Sequence, residues 1–292
     1  MQKLILFGIA GFVAQLVDGS LGMGYGLTSS TMLIALGISP AVASASIHFA
    51  EIATTAASGT AHYRFGNVDV ALLKRMVVPG AVGAFAGALF LGSISGDLIK
   101  PFVSAFLLLL GVYVTASVLL GLRKTREKKL LSHWKTVPLS IVAGFFDSVG
   151  GGGWGPIATP TLMAHAGMEP RRVVGTVDAS EFAVTLAGSL GFLAVLGLHG
   201  INCSWVAIFA VSGLIAAPIA AALVRYLPAQ VLAAIVGGAI ILTNARTVLA
   251  SLGVDAAVVN SLLLGGLVLW AALVAYVVRQ HRRSATLAEA TA

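Results

Sequence analysis

One feature limits the fold more than any other: a glycine-rich break that appears twice inside apolar sequence. Asp18-Gly-Ser-Leu-Gly-Met-Gly-Tyr-Gly26 returns as Asp147-Ser-Val-Gly-Gly-Gly-Gly-Trp-Gly155. Each copy is followed by an apolar stretch that carries charge, first Ile47-His-Phe-Ala-Glu51, then Val177-Asp-Ala-Ser-Glu181. Gly22, Gly24 and Gly26 match Gly151, Gly153 and Gly155, and Asp18 matches Asp147. After a one-residue slip, Pro40 matches Pro170, Ser46 matches Thr176, Glu51 matches Glu181 and Thr55 matches Thr185. His48 matches Asp178. The chain reads as an internal duplication. Two halves with a Gly-interrupted apolar segment at corresponding positions are the pattern of a secondary transporter.

Composition sets the solvent. The chain is 58% hydrophobic and 10% charged, with mean hydropathy +0.97. A soluble domain carries roughly 25% charged residues. Apolar runs long enough to cross a bilayer recur, and Gly is abundant at 34 residues, as in tightly packed membrane helices. The net charge of +7 does not point to nucleic acid, because the Lys and Arg residues cluster in short segments between apolar runs. The single cysteine, Cys203, excludes an intramolecular disulfide and a Cys-rich metal site. There is no phosphate-binding G-x-x-x-x-G-K-[ST], no Ser-His-Asp arrangement and no metal-ligand spacing. No cofactor, no metal and no enzyme activity are expected, nor is a cleavable signal peptide.

The expected fold is an all-α polytopic membrane protein. It consists of two inverted-topology repeats, each a re-entrant Gly-broken hairpin plus three transmembrane helices, with one extra helix at the end. The first hairpin joins Leu4–Val17 to Leu27–Ile38, both too short to span. Full helices follow from Pro40 to Tyr63, Val70 to Ile94 and Leu98 to Leu122. The second hairpin joins Val137–Phe146 to Ile157–Gly167. Its helices follow at Arg172–Leu196, Ile201–Tyr226 and Pro228–Leu252, and the extra helix at Ala257–Val278. The segments are thus 1–122, a basic loop at 123–135, 136–252, 253–280 and a cytoplasmic, disordered tail at 281–292. Arg123-Lys-Thr-Arg-Glu-Lys-Lys129 and Arg279-Gln-His-Arg-Arg283 should both be cytoplasmic. Arg171, Arg172 and Arg225 agree. The four crossings between those basic segments are even in number, so the second hairpin must enter and leave on one face. The N-terminus is then outside and the C-terminus inside.

Lipid offers no partner for free backbone groups, so the glycine runs must line a protein-walled cavity. Each second half-helix would begin there with unpaired N–H groups and a positive dipole end. Two such ends facing each other make an anion site without Lys or Arg. Gly22, Gly24, Gly26, Gly151, Gly153 and Gly155 are its candidate walls. Thr28, Ser29 and Thr159 offer hydroxyls, and Arg246 a cation. Tight helix packing is the plainer explanation for glycine.

His48, Glu51 and Thr55 share one helix face, as do Asp178, Glu181 and Thr185. Charge at membrane depth is expensive and by default suggests function. His48, Glu51, Asp178 and Glu181 are therefore candidate proton-coupling or gating groups. A structural network capping the hairpin backbone is the alternative. Asp18 and Asp147 are read as caps of the hairpin turns.

At these residues the chain resembles a known family. The G-x-G-x-G break after an acid, the segment Ser39–Ser46 and Gly-Gly-Gly-Gly-Trp-Gly-Pro look like the TauE/SafE membrane permeases. The resemblance covers about residues 5–250. It implies export of small anions such as sulfite, organosulfonates or carboxylates across a bacterial or archaeal cytoplasmic membrane. The chain departs from internal symmetry at His48 versus Asp178 and at Thr28-Ser-Ser versus Ile157-Ala-Thr. The expected function is secondary transport of such an anion by alternating access, with proton coupling open. A passive anion channel and a non-transporting scaffold are the rivals. The expected partners are a small anion and the bilayer. The Gly80–Gly87 face leaves a homodimer open, since it would serve a partner subunit or a neighbouring helix equally.

Overall fold

The computed structural model describes residues 2–21, 23–120, 132–165, 170–223 and 229–290. Gly22, Arg225 and the basic loop Arg123–Lys129 lie outside these. Among the described residues every regular element is a helix. The first half contains α1 (Gln2–Leu21), α2 (Tyr25–Ala35), α3 (Pro40–Arg64), α4 (Val70–Ser93) and α5 (Gly96–Leu119). The second contains α6 (His133–Gly150), α7 (Trp154–His165), α8 (Pro170–Leu196), α9 (Cys203–Leu223) and α10 (Ala229–Ser251), and α11 (Ala256–Ala290) follows.

Helices stand at all seven positions read as crossings. Within α4, α5, α8, α10 and α11 lie stretches long and apolar enough to cross a membrane. α9 holds a shorter apolar stretch, Cys203–Ala217. α3 is 25 residues long but less apolar, because Ser44, Ser46, His48, Glu51, Thr54 and Thr55 interrupt it. All six are buried, so α3 spends its polar residues on the protein interior. Large apolar residues cover the outside, among them Ile5, Val78, Phe102, Leu109 and Leu269. The protein is a polytopic membrane protein.

Three boundaries differ from those expected. α1 does not stop at Val17 but runs through Asp18 to Leu21, giving 20 residues. At about 1.5 Å per residue this reaches roughly 30 Å, so by length it is not too short to cross. The break falls later because Gly24, with φ of 119°, is where the backbone turns left-handed. α6 likewise runs from His133 to Gly150, and Gly151 ends it with φ of 69°. α2 and α7, with 11 and 12 residues, remain too short to span. The tail expected to be disordered instead prolongs α11 to Ala290. Its Ala, Leu, Glu and Arg content favours helix strongly.

The two halves exchange packing partners. α4 lies parallel to α6, with Gly83 over Ile141 and Gly87 over Phe145. In the matching pair, α9 lies parallel to α1, with Ile208 at Gly8 and Ser212 at Gly11. Corresponding helices pack antiparallel. Along α3 and α8, His48 meets Gly188 and Gly59 meets Ala179, while His62 meets Gly175. Along α5 and α10, Gly111 meets Ile240, and Thr115 reaches Ala233.

The Gly80–Gly87 face is used inside the chain. A Cβ at Gly80 would lie 2.6 Å from the Trp154 ring. A Cβ at Gly83 would collide with the Ile141 carbonyl, and one at Gly87 with that of Phe145. Replacing Gly83 by Leu should therefore cost about 1–3 kcal/mol through overpacking. Gly265, where an added Cβ meets nothing within 4 Å, should accept Leu within about 0.5 kcal/mol. Thermal melts of the two variants in detergent check this, and equal losses would contradict the packing.

Candidate functional site

The two glycine breaks meet backbone to backbone. A Cβ at Gly26 would collide with the Gly151 carbonyl and lie 2.7 Å from the Gly152 Cα. A Cβ at Gly152 would collide with the Leu27 amide nitrogen. No side chain larger than hydrogen fits at either position. Hydroxyls satisfy carbonyls at this junction. Ser30 Oγ donates to the Gly151 carbonyl at 3.1 Å, and Ser44 Oγ donates to the Ser148 carbonyl at 2.5 Å.

The aspartates cap the second member of each broken pair. Asp147 Oδ1 accepts from the N–H groups of Gly153 and Trp154 at 2.8 and 2.9 Å. Pro156, in the same first turn, has no N–H. These bonds and that proline leave the α7 N-terminus little to offer a ligand. Among the described residues the equivalent Asp18 makes one long bond, accepting from the Tyr25 N–H at 3.3 Å.

Behind each cap the two halves differ. Asp147 Oδ2 lies 3.3 Å from His48 Nε2, with both side chains almost fully buried. The other ring nitrogen, Nδ1, lies 3.0 Å from the Ser44 carbonyl. Ser148 Oγ lies 3.3 Å from Nε2 and donates to the Ala84 carbonyl. Thus α3 of the first half holds the cap of the second. The residue matching His48 is Asp178, which carries no positive charge. Its Oδ1 accepts from Ser58 Oγ at 3.0 Å.

A small cavity of about 20 Å³, with room for about one water molecule, opens beside the first break. Its walls are Gly24 and Gly26 from that break, Gly152 and Pro156 from the second, and Asp18, Glu51, Asp178 and Glu181. Gln15, Tyr25, Thr54, Thr55 and Ser58 complete the polar lining. Four carboxyl groups therefore share one small space, and none of the residues lining it is Lys, Arg or His.

Other residues singled out by sequence lie elsewhere. His48 and Asp147 sit behind the cavity. Gly151 and Gly153 stay in the second break, and Gly155 opens α7. Thr28, Ser29 and Thr159 are buried, and their hydroxyls lack a hydrogen-bond partner among the described residues. None of the three lines the cavity. Arg246 is exposed on α10. Its neighbour Asn244 is buried and donates to Thr31 Oγ1 at 3.0 Å. The described residues hold no group of three or more His, Cys, Asp or Glu suited to a metal ion.

Several lining residues escaped the sequence reading. Thr54 and Ser58 were within reach, being three and seven positions after Glu51 on one helix face. Gln15 precedes Asp18 by three positions and interrupts an apolar run. Gly152 carried no signal that set it apart from its neighbours, since its role comes from contact with Gly26.

An all-helical membrane protein with a buried polar cavity between two matched breaks is the class defined so far. Residues 7–247 match the family described as Sulfite exporter TauE/SafE, and the chain belongs to it. It is similar to "Probable membrane transporter protein YtnM" of Bacillus subtilis (strain 168), at 52% identity over 251 residues, covering 85% of this chain and 84% of that protein. It is also similar to "Probable membrane transporter protein YdhB" of the same organism, at 26% identity over 198 residues, covering 66% of this chain and 78% of that protein. No solved structure matches significantly. Family and relatives make the chain a membrane transporter.

The unequal caps are measurable. Asp147→Asn keeps an acceptor oxygen but strips the charge from two hydrogen bonds and from the His48 contact, and should cost about 1.5–3 kcal/mol. Asp18→Asn, with one long bond at stake, should cost less than about 1 kcal/mol. Melting temperatures in detergent report both. A larger loss for Asp18→Asn would reverse the assignment of the tighter cap.

Proposed function

We propose that the chain is a secondary transporter that moves a small anion by alternating access. The observation that carries this reading is the cavity where the two breaks meet, walled by backbone on one side and on the other by four carboxyl groups, Glu51 buried and Asp18, Asp178 and Glu181 half-buried. The family's description as sulfite exporters supports a sulfur oxyanion, with sulfite, a small organosulfonate or a carboxylate as the candidates. The anion sits at the N-terminus of α2, beside Gly24 and Gly26, because the α7 end is closed by Asp147 and Pro156. This narrows the two-sided site expected from sequence to one side. Thr28, Ser29 and Thr159 are then groups available when the helices move, and Glu51, Glu181, Asp18 and Asp178 are the gating or proton-linked set.

The antiparallel packing of matched helices supports an inverted repeat. Two such repeats related by an axis in the membrane plane are built to rock about a central site. The broken segments then act as re-entrant hairpins in a bacterial or archaeal cytoplasmic membrane, with the N-terminus outside and the C-terminus inside.

Counterflow of radiolabelled sulfite or a small organosulfonate in proteoliposomes tests this. The expected result is saturable, trans-stimulated flux. Gly26→Ala, which forces the two breaks apart, should slow it about tenfold or more, an effect of at least about 1.4 kcal/mol. Gly265→Ala should leave it unchanged. Flux that rises linearly without saturation would make the protein a channel. No flux of any small anion from folded protein would end the proposal.

A further inference from the structure

An anion entering the cavity meets Asp18 from α1, Glu51 from α3, and Asp178 and Glu181 from α8. Tyr25 from α2 faces it as a neutral phenol. Asp147 from α6 lies within electrostatic reach of Glu51 and Glu181, but it is held by His48 outside the cavity. No lining residue is basic. Among the described residues, the positive charge built into its wall is the end of α2, equivalent to roughly half an elementary charge. That cannot offset four carboxylates. Glu51 is 3% exposed, and its Oε2 has no hydrogen-bond partner among the described residues. Four like charges lining one small cavity weaken anion binding by more than about tenfold.

We infer that the anion and compensating protons occupy the cavity together, with Glu51 and Glu181 as the proton carriers, so that the protein is a proton–anion symporter. This rests on the transporter reading above. Asp18 and Asp178 each already accept a hydrogen bond, from the Tyr25 N–H and the Ser58 hydroxyl. Glu51 has an unpartnered oxygen, and Glu181 is its match in the second half. The direction of coupling follows from linkage. Protonation of the cavity raises anion affinity, and the bound anion raises proton affinity by the same factor. Ligands that favour each other's binding travel together. Exchange would need the opposite sign, as these acids would give with a cationic substrate. An inward proton gradient therefore drives the anion inward, opposite to the direction carried by the family's name.

The test uses methanesulfonate, a permanent monoanion on which a pH gradient cannot act directly. Wild-type proteoliposomes are clamped at zero potential with potassium and valinomycin, and the outside is acidified by one unit. Internal methanesulfonate should rise above the external level by about tenfold for each coupled proton. Glu51→Gln and Glu181→Gln, which mimic the protonated acid, should each lower that ratio while saturable counterflow persists. The double variant should bring the ratio to one. Binding of methanesulfonate to wild-type protein in detergent should tighten as pH falls, a reading that survives if a variant does not fold. Net exit of the anion toward the acid side would overturn the inference, as would pH-indifferent accumulation or binding with counterflow intact. Absence of any saturable flux from folded wild-type protein is a different failure: it removes the transporter reading and this inference with it.

Discussion

Everything in this molecule depends on two stretches of glycine backbone touching where no side chain intervenes. Gly26 lies against Gly151 and Gly152 so closely that even a methyl group at either surface would collide with main-chain atoms. That contact leaves non-helical backbone deep in the protein, and lipid would not satisfy it. The surrounding polar residues follow from this need. Ser30 and Ser44 satisfy carbonyls, and Asp147 and Asp18 hold N–H groups. α3 and α8 pass beside the junction and bring the remaining charged groups to it.

Duplication built the frame, and divergence at one matched position made it unequal. In the second half Asp147 has His48 beside it, reached from the other half, and its cap is tight. In the first half the matching pair is Asp18 and Asp178, two acids with no base between them, and the cap is long. The closed end is fixed by bonds on three sides. The open end borders the cavity. A symmetric frame thus supplies one rigid break and one exposed to a ligand.

Much of the frame was legible in the amino-acid sequence because membrane solvent makes strong demands. Apolar runs marked helices at all seven crossing positions, and paired glycines marked where the two short segments begin. Local boundaries were harder. Asp18-Gly-Ser-Leu stays helical although it contains residues that often end helices, because the left-handed turn is taken later at Gly24. The terminal segment is polar yet rich in helix formers, so polarity alone misjudged it. At the site, Glu51 and Glu181 stood out because charge is costly inside a membrane. The partner of His48 did not, since Asp147 belongs to the other half and no spacing links them. Arg246 looked available from its sequence position, but which side of α10 faces the protein depends on packing against α5, and Asn244 faces inward instead. That Gly152 would line the cavity was a tertiary matter in the same way.

The most direct test is an experimental structure in lipid nanodiscs with methanesulfonate bound. The account predicts Gly26 and Gly152 in backbone contact and the sulfonate at the N-terminus of α2, among Glu51, Glu181 and Asp178. Breaks separated by a layer of side chains, or a sulfonate held by surface Lys and Arg residues, would contradict it.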